Sequence, residues 1–374
     1  MPDAPSRSAP PALPAAAPGA ESPQAGTGTV RRLPVAPVIG GLILLLAVSV
    51  VVGVALGPVQ VPFSHVLSFL GAQIRGGVIS AERAGEFQIV WDIRLPRVLL
   101  AAVVGAGLAT VGVAVQAMVR NALGDPFVLG ISSGASVGAT SVIVFGAFAW
   151  MGLYALSAAA FLGALGAMVL VYLVAATPRG LAPLRLVLTG TAMAYGFSAV
   201  TTILIFQAPT GEASRSALFW LLGSLGGVTW GSLPIAVCVV VLGIAHLTLS
   251  AGRLNALSMG DQTAMTLGVD AQRLRRELFV VAAATTGVLV AVSGAVGFVG
   301  LMMPHLVRML VGADHRRVMA VTPLAGACFL IWVDIGARMI AAPQELPLGV
   351  ITAVIGVPCF VALMRRGYTF GGQG

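Results

Sequence analysis

Residue types that commonly do chemistry are sparse in this 374-residue chain, and their spacing matches no catalytic pattern. The four histidines are scattered, and the three cysteines stand alone in apolar stretches, so neither an HExxH motif nor a zinc-binding cysteine pattern is present. All 21 basic residues are arginine. Because a Walker A loop requires a lysine, nucleoside-triphosphate chemistry must come from another chain.

The charged residues with informative spacing lie near the ends of apolar stretches. Arg94 and Arg97 flank Pro96, which suits the first turn of a helix. Asp334 and Arg338 are four residues apart, a spacing that permits an ion pair along one helix. An unpaired charge in a bilayer costs a few kcal/mol, so we expect these groups to face protein or water. Snorkelling at a membrane boundary, local pairing and contact with a partner all remain open.

The composition excludes an ordinary water-soluble enzyme. Hydrophobic residues make up 58% of the chain, mean hydropathy is +0.98, and only 9% of residues are charged, against roughly 25% in soluble domains. The net charge of +8 is best explained by arginines that anchor loops on one side of a membrane, and we expect no nucleic-acid binding.

The apolar stretches predict an all-α polytopic protein with about ten transmembrane helices. Residues 1–34 are rich in Pro and Ala and predict a disordered cytoplasmic tail, and 367–374 a C-terminal cytoplasmic tail. Between them, 35–366 form the membrane domain. The expected spans are 35–57, 96–119, 127–149, 153–175, 183–206, 231–250, 278–296, 298–312, 318–340 and 346–364. Residues 278–312 are short for two crossings, and Pro304 favours a short or broken eighth helix.

The arginines test the orientation of these spans. With both termini in the cytoplasm, 15 of the 21 arginines lie at cytoplasmic ends and 6 lie outside, as the positive-inside rule favours. Small residues at Gly130, Gly134 and Gly138, and within 105–112, predict close helix packing. Residues 214–228 predict a short interfacial helix.

The longest polar insertion, 251–277, predicts one or two short cytoplasmic helices with Gly268 as a helix end. Either a solvated connection or a docking element fits its pattern.

Five motifs occur in order between residues 90 and 366: RLPR at 94–97, RNALGDPFVLGISSGA at 120–135, GFVGLMMPHLVR at 297–308, DHR at 314–316, and ELPLGVIT followed by GVPCF at 345–360. In series they resemble the permease family of iron-siderophore, haem and vitamin B12 ABC importers. This resemblance implies a type II importer permease of ten helices. It also implies a dimer of permeases, a cytoplasmic ATPase dimer, and an external binding protein that is periplasmic or lipid-anchored.

Residue roles follow from the same resemblance. Arg94, Arg97 and Arg338 match outer-surface arginines that pair with glutamates of the binding protein. Asn121 and Leu123 match a cytoplasmic gate, although Ala122 replaces the usual proline. The segment that couples to the ATPase matches Met259, Gly260, Asp261, Ala264, Leu267 and Gly268. The resemblance implies no cofactor in this chain, with ATP and Mg²⁺ bound by the ATPase.

The function expected is import of a ferric siderophore across the cytoplasmic membrane. We expect a permease that is not itself an enzyme and that pairs with a second copy of the chain. Haem is the alternative cargo, and vitamin B12 is a more distant one. An ion-gradient secondary transporter is the alternative from another class, but it would place ionisable relay residues in mid-span. An intramembrane enzyme lacks a nucleophile and base. His305 is expected to pack against loop groups, and we expect no metal site.

Overall fold

The computed structural model describes residues 33–77, 79–178 and 180–365, which are mainly helical. The helices are α1 (Val35–Ala55), α2 (Phe63–Arg75), α3 (Ala84–Gln88), α4 (Leu95–Val119), α5 (Ile131–Phe145), α6 (Ala155–Ala175), α7 (Pro183–Phe206), α8 (Gly211–Leu221), α9 (Leu233–Leu249), α10 (Ala251–Ser258), α11 (Asp261–Thr266), α12 (Ala271–Ser293), α13 (Val299–Val311), α14 (His315–Met339) and α15 (Leu348–Arg365). A π-helical turn, Ile89–Arg94, joins α3 to α4, and 3₁₀ turns cover Ala81–Arg83, Pro126–Leu129 and Ala149–Tyr154. A short antiparallel hairpin of β1 (Ala176–Thr177) and β2 (Gly180–Leu181) joins α6 to α7.

The helices confirm the predicted all-α polytopic fold. In the described ranges, six helical stretches are long and apolar enough to cross a membrane: α1, the stretch ending in α4, the stretch ending in α6, α7, α12 and α14. The bent pair α9 and α10, which meet at 58°, is a seventh candidate, and α5, α13 and α15 are shorter apolar helices. These elements match the ten predicted spans in order. Helix α13 has 13 residues and contains Pro304, as expected for a short eighth span.

The largest differences from the predicted boundaries are at α12 and α5. Helix α12 begins at Ala271, seven residues before the expected span, because Asp270 caps it by accepting from the N–H groups of Gln272 and Arg273, each at 3.0 Å. The insertion 251–277 therefore contains α10, α11 and the first two turns of α12. Helix α5 is shorter than 127–149, since a 3₁₀ turn precedes it and Gly146 ends it in the left-handed conformation.

The central helix is α4, which packs against α9, α12, α13 and α14. Its glycines confirm the predicted close packing, because a Cβ atom at Gly105 would lie 2.2 Å from the carbonyl oxygen of Gly326. A Cβ atom at Gly138 of α5 would similarly lie 2.0 Å from the carbonyl oxygen of Ala159 in α6. These helix pairs therefore approach at backbone contact distance.

The two predicted tails lie almost wholly outside the described residues, which begin at Leu33 and end at Arg365. At the start of the described part, the Leu33 N–H donates to the carbonyl oxygen of Leu310 at 3.0 Å. The prediction for 1–34 and 367–374 stays a prediction.

Candidate functional site

A buried ion-pair network lies at the end of the helix bundle where α1 ends and α4 begins. Arg97 Nε lies 2.8 Å from Asp334 Oδ1, and Arg97 Nη1 lies 2.7 Å from Glu345 Oε1. The second oxygen of Asp334 lies 3.0 Å from Arg338 Nε. The pairing of Asp334 with Arg338 four residues later is confirmed, and Asp334 bridges the arginines of α4 and α14.

Arg338 of this network and the neighbouring Arg94 also cap the C-terminal end of α1. Arg94 and Arg338 donate to backbone carbonyl oxygens there, and four of these hydrogen bonds measure between 2.8 and 3.1 Å. The acceptors are Gly53, Val54, Ala55, Leu56 and Val59. Because the last carbonyls of a helix lack intrahelical partners and carry partial negative charge, cationic side chains stabilise this end. The network therefore ties α1 to α4 and α14.

All three arginines with a predicted role in binding-protein docking are buried within the chain. Arg94, Arg97 and Arg338 are 4%, 5% and 3% exposed, and each guanidinium donates hydrogen bonds to groups of its own chain. Glu345 is the partner that reaches solvent, with 32% of its side chain exposed against 1% for Asp334. Pairing with glutamates of a binding protein is not tested by this geometry and stays a prediction.

At the opposite end of α4, the predicted gate residues form a tight turn. Arg120 ends the helix in the left-handed conformation, with φ of 50°. The side-chain oxygen of Asn121 then accepts from the Leu123 N–H at 2.9 Å. Such an Asx turn restrains the loop locally, which a proline at Ala122 would otherwise do. Leu123 is exposed, and its role as a gate stays a prediction.

Asp125 follows in the same loop and begins the 3₁₀ turn Pro126–Leu129. Its carboxylate accepts from the Phe127 N–H at 2.8 Å. Burial nevertheless raises the pKa of Asp125 to about 6, because removing the carboxylate from water disfavours its charged form more than this hydrogen bond favours it.

The predicted coupling segment forms α10 and α11, which confirms the expected short helices. Ala264 is fully buried, whereas Met259 and Leu267 are 63% and 59% exposed. Gly260 and Gly268 have φ of +109° and +77° and bound α11 on both sides, a conformation that glycine adopts without strain. The segment therefore packs one face on the helices and presents apolar side chains outward.

Polar contacts fix the coupling segment to the membrane helices. Asn255 of α10 donates to Asp314 Oδ1 at 2.8 Å and accepts from the His315 N–H at 2.9 Å, at the start of α14. Asp261 of α11 pairs with Arg275 of α12, with Oδ1 to Nη2 at 2.8 Å and Oδ2 to Nη1 at 3.3 Å.

Sequence reasoning missed Arg275, which it counted among the arginines that set orientation. Its position on α12 is the signal that could have distinguished Arg275 from the arginines that set orientation. Arg275 lies three and four residues before Leu278 and Phe279, both fully buried, and therefore on the inward face of the helix. Arg273, in contrast, has 76% of its side chain exposed.

Across the described residues, ten apolar helices, with clusters of charged groups at the two ends of α4, define a polytopic membrane protein. Comparison with solved structures gives the class more closely. An ABC transporter assigned to the metal-chelate type, in an inward-facing conformation, matches with a TM-score of 0.75 and 33% identity over 89% of this chain and all of that chain. The chain is thus similar to permeases of ABC importers.

The chain belongs to the FecCD transport family, whose model matches residues 42–366. The cobalamin import permease BtuC of Halobacterium salinarum is 44% identical over 74% of this chain and 73% of its own length. The hemin permease HmuU of Yersinia pestis is 39% identical over 74% of this chain and 83% of its own length. The Fe(3+) dicitrate permease FecD of Escherichia coli is 38% identical over 75% of this chain and 86% of its own length. The resemblance seen in the motifs is confirmed.

Proposed function

We propose that this ABC importer permease forms its pathway with a second copy of the chain and moves a ferric siderophore inward. The observation that supports this arrangement is the surface of α7. Helix α7 has the lowest mean hydropathy of the six candidate spans, 1.4. Only 17% of the residues in its apolar 18-residue stretch are buried. Helix α1 is equally exposed but has a hydropathy of 2.8.

An exposed helix that carries polar side chains among its exposed residues is less suited to lipid than a wholly apolar one, because polar groups in hydrocarbon need partners. Tyr195 is 76% exposed, and the neighbouring Ser198 and Thr202 are also exposed. This face of α7 is therefore assigned to the water-filled pathway and the partner permease, whereas α1 is assigned to lipid.

Single cysteines test this assignment in a chain whose Cys238, Cys328 and Cys359 are replaced by serine or alanine. Ser198→Cys should react with a membrane-impermeant thiol reagent and cross-link two copies of the permease. Leu44→Cys on α1, which is 68% exposed, is the matched control and should do neither. Equal protection of both positions from the reagent would contradict the proposal.

The opposite faces of the molecule are assigned to its other partners. The exposed side chains of Met259, Met265 and Leu267 give the coupling segment an apolar surface that suits a groove on an ATPase dimer, which would bind ATP and Mg²⁺. The positive-inside count supports a cytoplasmic location for this segment and both chain termini, with the permease in the cytoplasmic membrane.

The binding protein is assigned to the end that carries the arginine network. Because Arg94, Arg97 and Arg338 are buried, a glutamate of that protein would reach Arg97 most easily by replacing Glu345, the exposed carboxylate. Glu345→Gln should then strengthen docking in a binding assay at low salt. Glu212→Gln, on the exposed start of α8, is the charge-matched control. Weaker docking of the Glu345 variant would contradict this exchange.

The cargo rests on sequence features. The DPFVLG segment at 125–130 and the RRGYTFGG ending at 365–372 favour a ferric siderophore, while the 44% identical cobalamin permease favours cobalamin as the second candidate. Haem is a third, since the hemin permease is 39% identical. Binding of each compound to the cognate external protein decides among them. Tight binding of the ferric siderophore is expected, and binding of cobalamin alone would overturn the first choice.

A further inference from the structure

Arg275 is a fully buried cation, 0% exposed, near the start of α12. Its guanidinium contacts three other parts of the chain. Besides the two bonds to Asp261, Nη1 donates to the carbonyl oxygen of Leu181 at 3.0 Å, and Nε donates to that of Met118 at 3.4 Å. One side chain thus joins the coupling segment, the β1–β2 hairpin and the end of α4.

The hairpin is held by α12 through both backbone groups of one residue. The Leu181 N–H donates to Gln272 Oε1 at 2.9 Å, while its carbonyl oxygen accepts from Arg275. A Cβ atom at Gly180 would lie 2.2 Å from Gln272 Oε1, so the turn fits closely against this side chain. The hairpin cannot move far from α12 without breaking these contacts.

The backbone groups that Arg275 contacts immediately precede the elements assigned to the pathway. Leu181 lies two residues before Pro183, where α7 begins. Met118 lies three residues before Asn121 in the predicted gate turn. Asp261, in contrast, lies on the coupling segment and keeps 35% of its side chain exposed. Arg275 therefore connects the partly exposed coupling segment with the start of α7 and with the turn after α4.

Packing alone does not explain a charge at this position. Burial of a guanidinium carries a large desolvation cost, and an apolar residue of similar volume often gives equal or greater stability. What the guanidinium adds is several directional hydrogen bonds to separate elements, which fix their relative positions.

We propose that Arg275 is a positioning residue that transmits movement of the coupling segment to α7 and to the turn after α4. This inference rests on the proposed function, because the movement would be driven by a partner ATPase. Displacement of Asp261 would carry Arg275 with it, and the bonds to Leu181 and Met118 would move the hairpin and the end of α4 together with α11.

The test uses the complete complex of permease, ATPase and binding protein in liposomes, and measures substrate imported per ATP hydrolysed. Arg275→Met fills the site without the hydrogen bonds and should lower this ratio about tenfold, within the range typical of coupling between sites. Arg275→Lys keeps the charge but not the planar donor set, and should give an intermediate ratio. Arg273→Gln, two residues earlier and exposed, should leave the ratio unchanged.

An unchanged ratio in Arg275→Met would overturn the proposal, including the case in which import and ATP hydrolysis fall in parallel. Absence of ATP-driven import by the unmodified complex would instead count against the proposed function. A second measurement covers variants that fail to fold. In the unmodified complex, spin labels at Met265 and Leu184 should keep the same separation when ATP binds, and a changed separation would also overturn the proposal.

Discussion

At the scale of single residues, the buried arginines act as structural links between distant parts of the chain. The Asp334–Arg338 pair was predictable because its spacing of four is local. The bond from Arg97 to Asp334 spans 237 positions, and that from Arg338 to Gly53 spans 285. Sequence spacing holds no information on such contacts, so it could not show that Arg97 and Arg338 are buried or that Arg338 caps α1.

Arg338→Ala should destabilise the protein by about 3–5 kcal/mol, since it leaves Asp334 partly uncompensated in a buried site and removes the donors to two carbonyl groups at the end of α1. Chemical unfolding in detergent measures the free energy of unfolding of each variant. Arg215→Ala, at an exposed position of α8, is the control and should change stability by about 0.5 kcal/mol or less. Equal effects of the two variants would show that the network is not a stabilising feature.

Asp125 predicts a pH dependence of stability. Its pKa is raised from 3.8 to about 6 in the folded chain, so the folded state binds more protons and this contribution to stability falls as pH rises through that window. Asp125→Asn keeps an acceptor for the Phe127 N–H without a charge. The stability of the variant relative to the unmodified chain should therefore increase from pH 4.5 to pH 6.5 and then level off. A relative stability that decreases over this range would contradict the assignment.

At the scale of elements, helix identity was predictable and several boundaries were not. Long apolar stretches predicted the spans, because length and hydropathy set them. The start of α12 depends on the cap at Asp270, and helices α2 and α3 within 58–91 had no clear apolar stretch. The coupling helices were predicted by pattern, whereas their attachment through Asn255 and Arg275 depends on tertiary contacts.

Close approach of α5 and α6 should depend on Gly138. Gly138→Ala places a methyl group against the backbone of Ala159 and should lower the unfolding temperature by several degrees. Gly166→Ala in α6 is the matched control, because a Cβ atom there meets no atom within 4 Å and alanine favours helix. An equal or smaller loss in Gly138→Ala than in Gly166→Ala would contradict close packing at this position.

At the scale of the whole molecule, α4 separates the two ends that the proposed function assigns to different partners. Its 25 residues span about 37 Å at 1.5 Å per residue. The arginine network lies at the first end of α4, and the predicted gate turn and the contacts of the predicted coupling segment lie at its last. In the proposed function, the binding protein and the ATPase act on these opposite ends. The helices between them must transmit the conformational change.

The central claim is tested most directly by uptake of a ferric siderophore into liposomes that hold the permease, its ATPase and its external binding protein. Uptake should require ATP hydrolysis, should stop when the ATPase is catalytically inactivated, and should continue when a proton ionophore removes the pH gradient. Uptake that persists with the inactivated ATPase and disappears with the gradient would contradict the account, because it would identify a secondary transporter.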